Sequence, residues 1–129
     1  MLRSRYRAPN SGDGMHEYSL VSSLMDEIDR QAGAHRATSV QKVHVRLGEM
    51  AGVDADLFRT AFEMIQPHTI CAEAELVLHS EPAGWACPLC GRRHPLGATL
   101  RCEACDVPLR PDGGRDLVLE RLEMEVSHV

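Results

Sequence analysis

Four cysteines arranged as two short pairs constrain this chain more than any other feature. The pairs are Cys87-Pro88-Leu89-Cys90 and Cys102-Glu103-Ala104-Cys105, with eleven residues between them. A two-residue spacer lets a tight turn aim both sulfurs of a pair at one point, and two such pairs can close tetrahedrally around one Zn²⁺. Gly91 follows the first pair and can take the positive φ that such a turn often needs. Four thiolates leave no open position for water or substrate, so the pattern predicts a structural zinc site and not a catalytic one.

Disulfides and a redox-active pair are the alternative interpretations of these cysteines. The chain has five cysteines and no secretory signal, so an oxidising compartment is not indicated. A thioredoxin-type motif would need a single pair at the start of a helix, and not two pairs across a loop rich in Pro, Gly and Arg. Residues 84–113 include few large apolar side chains, so we expect this segment to unfold without metal. The fifth cysteine, Cys71, is expected to be a small buried or half-buried apolar residue.

Size and composition exclude several classes of protein. A chain of 129 residues fits one compact domain, or a small domain with a zinc lobe. The formal net charge of −5 argues against nucleic-acid binding as the main function. No apolar run approaches the roughly 20 residues of a membrane span, and we expect a cytoplasmic protein. The chain contains no Ser/Cys–His pair, phosphate loop or dinucleotide fingerprint, so we do not expect an enzyme.

Hydrophobic periodicity predicts two helices. The first begins near Met15, and the second is capped by Asp54 and ends before Pro67. Apolar residues repeat at helical spacing in both segments, and a negatively charged Glu17 in the first turn suits the helix dipole. The residues that mark the two apolar stripes are Leu20, Leu24, Ile28, Phe58, Ala61, Phe62 and Ile65.

Alternation of apolar and polar residues predicts three strands. These lie near residues 42–47, 74–79 and 115–126. In the last strand the apolar positions change from odd to even numbers, and one extra residue near Glu120–Arg121 would restore the register. We therefore expect a β-bulge or a bend at that point.

These elements predict an α+β fold in which two helices pack on a three-stranded sheet. A four-cysteine lobe that resembles a zinc ribbon, residues 84–113, is inserted before the last strand. The main domain then comprises residues 15–83 and 114–127. Residues 1–14 are expected to be disordered, or to precede the true start of the protein at Met15.

The start of the first helix offers a second group of possible metal ligands. The first four N–H groups of a helix lack partners within it, so the amides of His16 and Glu17 are free to be deprotonated. With the His16 imidazole and the α-amine of Met15, if the chain began there, four nitrogens could lie in one plane. A square-planar set of nitrogens suits Ni(II) or Cu(II). On spacing alone, however, a histidine beside a glutamate at a helix start is usually only solvated.

The order of several motifs resembles the HypA family. A helix opens on Met-His-Glu-x-Ser-Leu, and two cysteine pairs precede a last strand rich in glutamate. The resemblance covers about residues 15–126. The matching stretches are Met15 to Leu20, Val43 to Glu49, Phe58 to Ile65, Ala74 to Leu76, Cys87 to Gly91 and Leu117 to Glu125.

This resemblance implies a nickel metallochaperone for maturation of [NiFe]-hydrogenase. The family's nickel-binding histidine and glutamate fall on His16 and Glu17, and its zinc ligands fall on the four paired cysteines, Cys87, Cys90, Cys102 and Cys105. Zn(II) would be structural and Ni(II) the transported cargo. The implied partners are the nickel-handling GTPase HypB and the hydrogenase large subunit. The sequence does not say whether urease is also served.

Other interpretations remain open at this stage. Family members begin at the methionine of the motif, which here is residue 15, so the nickel donor set depends on the start of the chain. His94, in the zinc lobe, could contact nickel if the lobes approach each other. Open sheet edges allow either a monomer or a weak homodimer. The alternative function is a zinc-ribbon adapter for nucleic acid or a protein complex, because the lobe carries several arginines and Trp85.

Overall fold

The computed structural model describes residues 2–7, 17–95, 97 and 100–127. Two helices, α1 (Glu17–Ala34) and α2 (Ala55–Ile65), pack on one face of the main sheet, and a short 3₁₀ turn (Gln66–His68) follows α2. No helix among the described residues is long and apolar enough to span a membrane. The strands are β1 (Leu2–Arg7), β2 (Ala37–Gly48), β3 (Glu75–Glu81), β4 (Gly84–Ala86), β5 (Arg93–Pro95), β6 (Arg110–Asp112) and β7 (Leu117–Val126).

The main sheet has the strand order β1-β7-β2-β3. Strand β7 runs antiparallel to both β1 and β2, whereas β2 and β3 are parallel. Parallel neighbours need a crossover connection, and α2 provides it by packing back onto the sheet. The α+β fold with two helices on a sheet and a cysteine lobe before the last strand is thus confirmed. The sheet has one strand more than the three that were predicted.

The two predicted helix stripes form the core. On α1 the side chains of Val21, Leu24 and Ile28 are fully buried, and on α2 those of Phe58 and Phe62 are. They pack against the buried valines and leucines of β2 and β7, which belong to the same core cluster. Burial of these aliphatic and aromatic groups is the main stabilising contribution in a domain of this size. Both helix predictions are confirmed.

The bulge expected in the last strand lies at Glu120. In the pairing of β2 with β7, His44 is opposite Arg121 and Val45 is opposite Leu119, so Glu120 has no partner in the ladder. One extra residue on β7 moves the next apolar side chain back to the core face, and Leu119 and Leu122 are both fully buried. The change from odd to even apolar positions is therefore explained.

Strand β1 differs from the expectation for residues 1–14. Residues 1–14 were expected to be disordered or to precede the true start at Met15. In the structure, residues 2–7 form an edge strand on β7 with Leu2 opposite Leu122 and Arg7 opposite Val118. A strand at a sheet edge needs only backbone hydrogen bonds to one neighbour, so it requires no apolar stripe of its own. Residues 8–14 lie outside the described residues.

A second, smaller sheet has the strand order β5-β4-β6 and belongs to the segment between β3 and β7. The turn after β2 is hydrogen-bonded to both ends of this segment, where it leaves β3 and where it returns to β7. The N–H of Glu49 donates to Glu81 O at 2.9 Å, and the N–H of Met50 donates to Gly114 O at 2.7 Å. The Glu49 carboxylate also accepts from the N–H of Ala83 at 3.2 Å. These bonds tie the segment to the main sheet at the points where it leaves and returns.

Replacement of Asp54 by alanine should lower the free energy of unfolding by about 1 kcal/mol. Asp54 has an extended backbone, and its carboxylate accepts from the N–H of Leu57 at 3.1 Å, as an N-cap of α2. Alanine leaves that donor without a side-chain acceptor. Chemical denaturation of Asp54→Ala beside Asp54→Asn, which keeps an acceptor, measures the effect. An equal loss in both variants would contradict a capping role.

Candidate metal centres

Both cysteine pairs adopt the same turn. In the first, the N–H of Gly91 donates to Cys87 O at 2.9 Å, and in the second the N–H of Asp106 donates to Cys102 O at 2.8 Å. The residue after each pair has positive φ, 76° for Gly91 and 52° for Asp106. Asp is one of the few residues other than Gly that tolerates this region. Arg101 supports it by donating to the Asp106 carboxylate at 3.1 Å. The lack of a second glycine therefore leaves the turn intact.

The four sulfur atoms converge on one point. The ligand atoms of Cys87, Cys90, Cys102 and Cys105 all lie within 4.8 Å of one another. The Cys90 and Cys102 sulfurs are 3.8 Å apart. Two thiolates on a tetrahedral zinc with Zn–S of about 2.3 Å are separated by about 3.8 Å, so the donor set fits this metal. All five cysteines of the chain are free thiols in this structure.

The pKa values of two of the four thiols are shifted in opposite directions. The pKa of the Cys87 thiol is lowered to about 6, above all because the backbone N–H of Cys90 donates to its sulfur. The pKa of Cys105 is raised to about 12, first through the hydrogen bond between its thiol and Cys90. A metal ion needs the deprotonated form of every ligand, so binding must release protons at neutral pH.

Cys71 lies apart from this group. Its side chain is fully buried in the core of the main domain, and burial raises the pKa of its thiol to about 12. A buried thiol of this kind is poorly reactive and is not available as a ligand. It behaves as the small apolar residue that the sequence predicted.

The start of α1 lies beside the start of α2. Glu17, the first residue of α1, is half-buried, and its carboxylate accepts from the backbone N–H of Asp54 at 3.2 Å. This contact places two acidic side chains at neighbouring helix N-termini. No sequence pattern indicates it, because the two residues are far apart in the chain. His16 and Met15 lie outside the described residues.

His94 was considered as a further contact for nickel. It lies in β5 opposite Trp85, and its Nε2 atom is buried with no hydrogen-bond partner in the described part of the chain. Among the described residues, the four paired cysteines are the only group of three or more His, Cys, Asp or Glu side chains that could hold a metal ion, and His94 is not part of it.

The sequence matches a family model over most of its length. The model is that of HypA, described as hydrogenase/urease nickel incorporation, metallochaperone, and it matches residues 15–124. The chain belongs to the HypA family. This membership confirms the family resemblance that the sequence motifs indicated. It gives no support to the alternative function of a zinc-ribbon adapter.

Individual relatives agree with this assignment. The hydrogenase maturation factor HypA of Wolinella succinogenes is 40% identical over 117 residues, which is 88% of this chain and 98% of the relative. That of Shewanella halifaxensis is 38% identical over 114 residues, or 86% of this chain and 98% of the relative. The similarity therefore extends over nearly the whole of each relative.

Solved structures share the fold as well. The solution structure of the nickel metallochaperone HypA from Helicobacter pylori has a TM-score of 0.66 and 31% identity, covering 88% of this chain and all of the other. A second HypA solution structure has a TM-score of 0.71 and 30% identity over 88% of this chain and 99% of the other. As a HypA, the chain is a nickel metallochaperone of hydrogenase maturation with a metal-binding group of four cysteines, and it is not an enzyme.

Proposed function

We propose that this HypA holds its Ni(II) cargo at the start of α1, with His16 and Glu17 as ligand residues. The observation that carries the proposal is the contact of the Glu17 carboxylate with the N–H of Asp54 at 3.2 Å, which fixes an acidic group at the helix start. Negative side chains there offset the positive end of the helix dipole, which otherwise opposes a cation. The His16 imidazole and the free amides of the first turn supply the nitrogen donors that Ni(II) prefers.

The four paired cysteines hold a structural zinc ion in this proposal. Cys87 and Cys102 are buried, whereas Cys90 is exposed and Cys105 is half-buried, so the site lies near the surface of the small lobe. Cys87, Cys90, Cys102 and Cys105 fill all four positions of a tetrahedral ion, and none is left for the cargo. Zinc thus holds the lobe together while nickel is bound and released elsewhere.

The partners proposed are the nickel-handling GTPase HypB and the large subunit of [NiFe]-hydrogenase. Two large apolar side chains are exposed in the first turns of the two helices, Tyr18 at 54% and Leu57 at 55%. They lie beside the contact between Glu17 and Asp54, so a partner that docks on them would meet the nickel end directly. A thiolate zinc site also suits a reducing compartment, which supports a cytoplasmic location. The protein acts as a monomer or weak homodimer.

A Ni(II) titration of the zinc-loaded protein tests this function. Calorimetry should show one equivalent of Ni(II) bound, while the zinc content stays at one ion per chain. In a bacterium that lacks its own HypA, the chain should restore hydrogenase activity. A chain with Tyr18 and Leu57 both replaced by Ser should keep its nickel but lose much of that activity, because docking is weakened. Absence of nickel binding by the zinc-loaded protein would contradict the proposal.

A further inference from the structure

The face of the main sheet opposite the helices carries a cluster that nickel handling does not use. His44 lies in the middle of β2 with only 7% of its surface exposed. It is flanked on one side by His79 of β3, which is exposed, and on the other by Glu123 of β7. A histidine so deeply placed on a polar face is held there by its neighbours, and its Nε2 atom has a defined partner in the Glu123 carboxylate.

The proton on His44 can be assigned from its contacts. Its Nε2 lies 2.6 Å from the Glu123 carboxylate, which can only accept, so Nε2 carries the hydrogen. This bond is the largest cause that lowers the pKa of Glu123 below its usual value. Arg121 Nη2 donates to the same carboxylate oxygen at 3.3 Å. It also lies 3.0 Å from Nε2, but with Nε2 protonated that is a contact between two donors and not a hydrogen bond, because a guanidinium can only donate. With Nε2 protonated, the Nδ1 atom of the neutral ring bears a free lone pair on the other side.

That lone pair faces the second histidine. His44 Nδ1 and His79 Nε2 are 3.4 Å apart, and the two rings are nearly parallel, at 8° with centroids 5.7 Å apart. The separation is long for a hydrogen bond. Two nitrogens that bind the same tetrahedral ion, each with a metal–nitrogen distance of about 2.0–2.1 Å, are roughly 3.3 Å apart, which is close to the separation here. Neighbouring nitrogens in a square-planar site would be only roughly 2.9 Å apart.

We propose that His44 and His79 form a second metal site, for a tetrahedral divalent ion such as Zn²⁺. Glu123 is the positioning residue: it fixes the tautomer of His44, as carboxylates do behind metal-bound histidines. The ion would sit to one side of the line between the two nitrogens, and the exposed His79 ring can turn to meet it. Water would complete the shell, so binding should be weaker than at the four cysteines. The site is independent of the nickel function.

The surrounding charges allow a cation there. Each basic side chain on this face is matched by a carboxylate: Arg46 pairs with Glu120, and Lys42 lies 3.9 Å from Glu75. Arg121 is matched by Glu123 and lies on the Nε2 side of His44, away from the proposed ion. The cluster is therefore close to neutral, and no unpaired positive charge among the described side chains of this face meets the two nitrogens.

A zinc titration tests this site apart from the other two. The protein titrated is the His16→Ala variant with zinc already bound at the four cysteines. Neither the start of α1 nor the cysteine thiolates then contribute to the zinc binding that is measured. Calorimetry should show one further equivalent of Zn²⁺ with a dissociation constant in the micromolar range. An added His79→Ala change should weaken this binding at least about tenfold, and Glu123→Gln should weaken it by about tenfold without abolishing it.

The matched control is His68→Ala, which removes an exposed histidine that is not part of the cluster and should leave the titration unchanged. In NMR spectra, the ring signals of His44 and His79 should shift together as zinc is added. Equal zinc binding with and without His79, or no further equivalent at all, would overturn the proposal. Either result would leave the nickel function untouched.

Discussion

Removal of zinc is expected to unfold the cysteine lobe and to leave the two-helix domain folded. In the described part of residues 84–113, the only buried apolar side chains are those of Cys87 and Cys102, and the core cluster of the main domain includes none from this segment. The lobe thus has almost no hydrophobic core to replace the metal. Structural zinc sites of this type have apparent binding free energies of about 10–16 kcal/mol, far more than the three short strands can supply.

Hydrogen exchange measures this effect by region. Cys102→Ser, or treatment with a chelator, should reduce amide protection in residues 84–113 to that of an unfolded chain. Protection in α1 and β2 should change little, because their core is separate. Cys71→Ala is the matched control, since it removes the cysteine that is not a ligand: it should keep one zinc ion and a protected lobe. A lobe that stays protected without zinc would show that the small sheet is stable by itself.

Much of the fold could be predicted because its determinants are local. The buried stripe of α1 repeats with the period of a helix, so Leu24 and Ile28 identify the core face directly. The bulge at Glu120 could be predicted for a similar reason. Side chains of a strand alternate between its two faces, so one extra residue changes the apolar positions from odd to even numbers. The cysteine site is local as well: two short spacers and one loop bring all four sulfurs together.

The rest depends on contacts that no pattern records. Residues 2–7 alternate arginine with other residues and have no apolar stripe, yet they pair with β7 through the backbone. The parallel pairing of β2 with β3 is set by the crossover of α2. The contact of Glu17 with Asp54 and the cluster around His44 each join residues brought together by this topology. A sequence shows which side chains are polar, but the register of three strands decides which of them meet.

Replacement of His16 by alanine is expected to weaken Ni(II) binding at least about 100-fold, or about 2.8 kcal/mol. In the proposed site of a chain that begins at Met15, the imidazole would be one of four nitrogens, with the α-amine and the two amides, and its loss would also remove the anchor that brings the metal to those amides. Calorimetry with zinc-loaded protein measures the change. His68→Ala, at an exposed position outside the nickel end, should bind nickel as the parent does.

The α-amine of Met15 should contribute separately. A chain that begins at Met15 with a free amine should bind Ni(II) at least about tenfold more tightly than the same chain with that amine acetylated, because acetylation turns a donor into an ordinary amide. The 129-residue chain has an amide at this position too and should behave like the acetylated form. Both chains that begin at Met15 lack β1, so any difference between their Ni(II) affinities comes from the α-amine. Equal affinity in all three forms would mean that His16 and Glu17 bind nickel without the main-chain terminus, and that the residues before Met15 do not control the cargo.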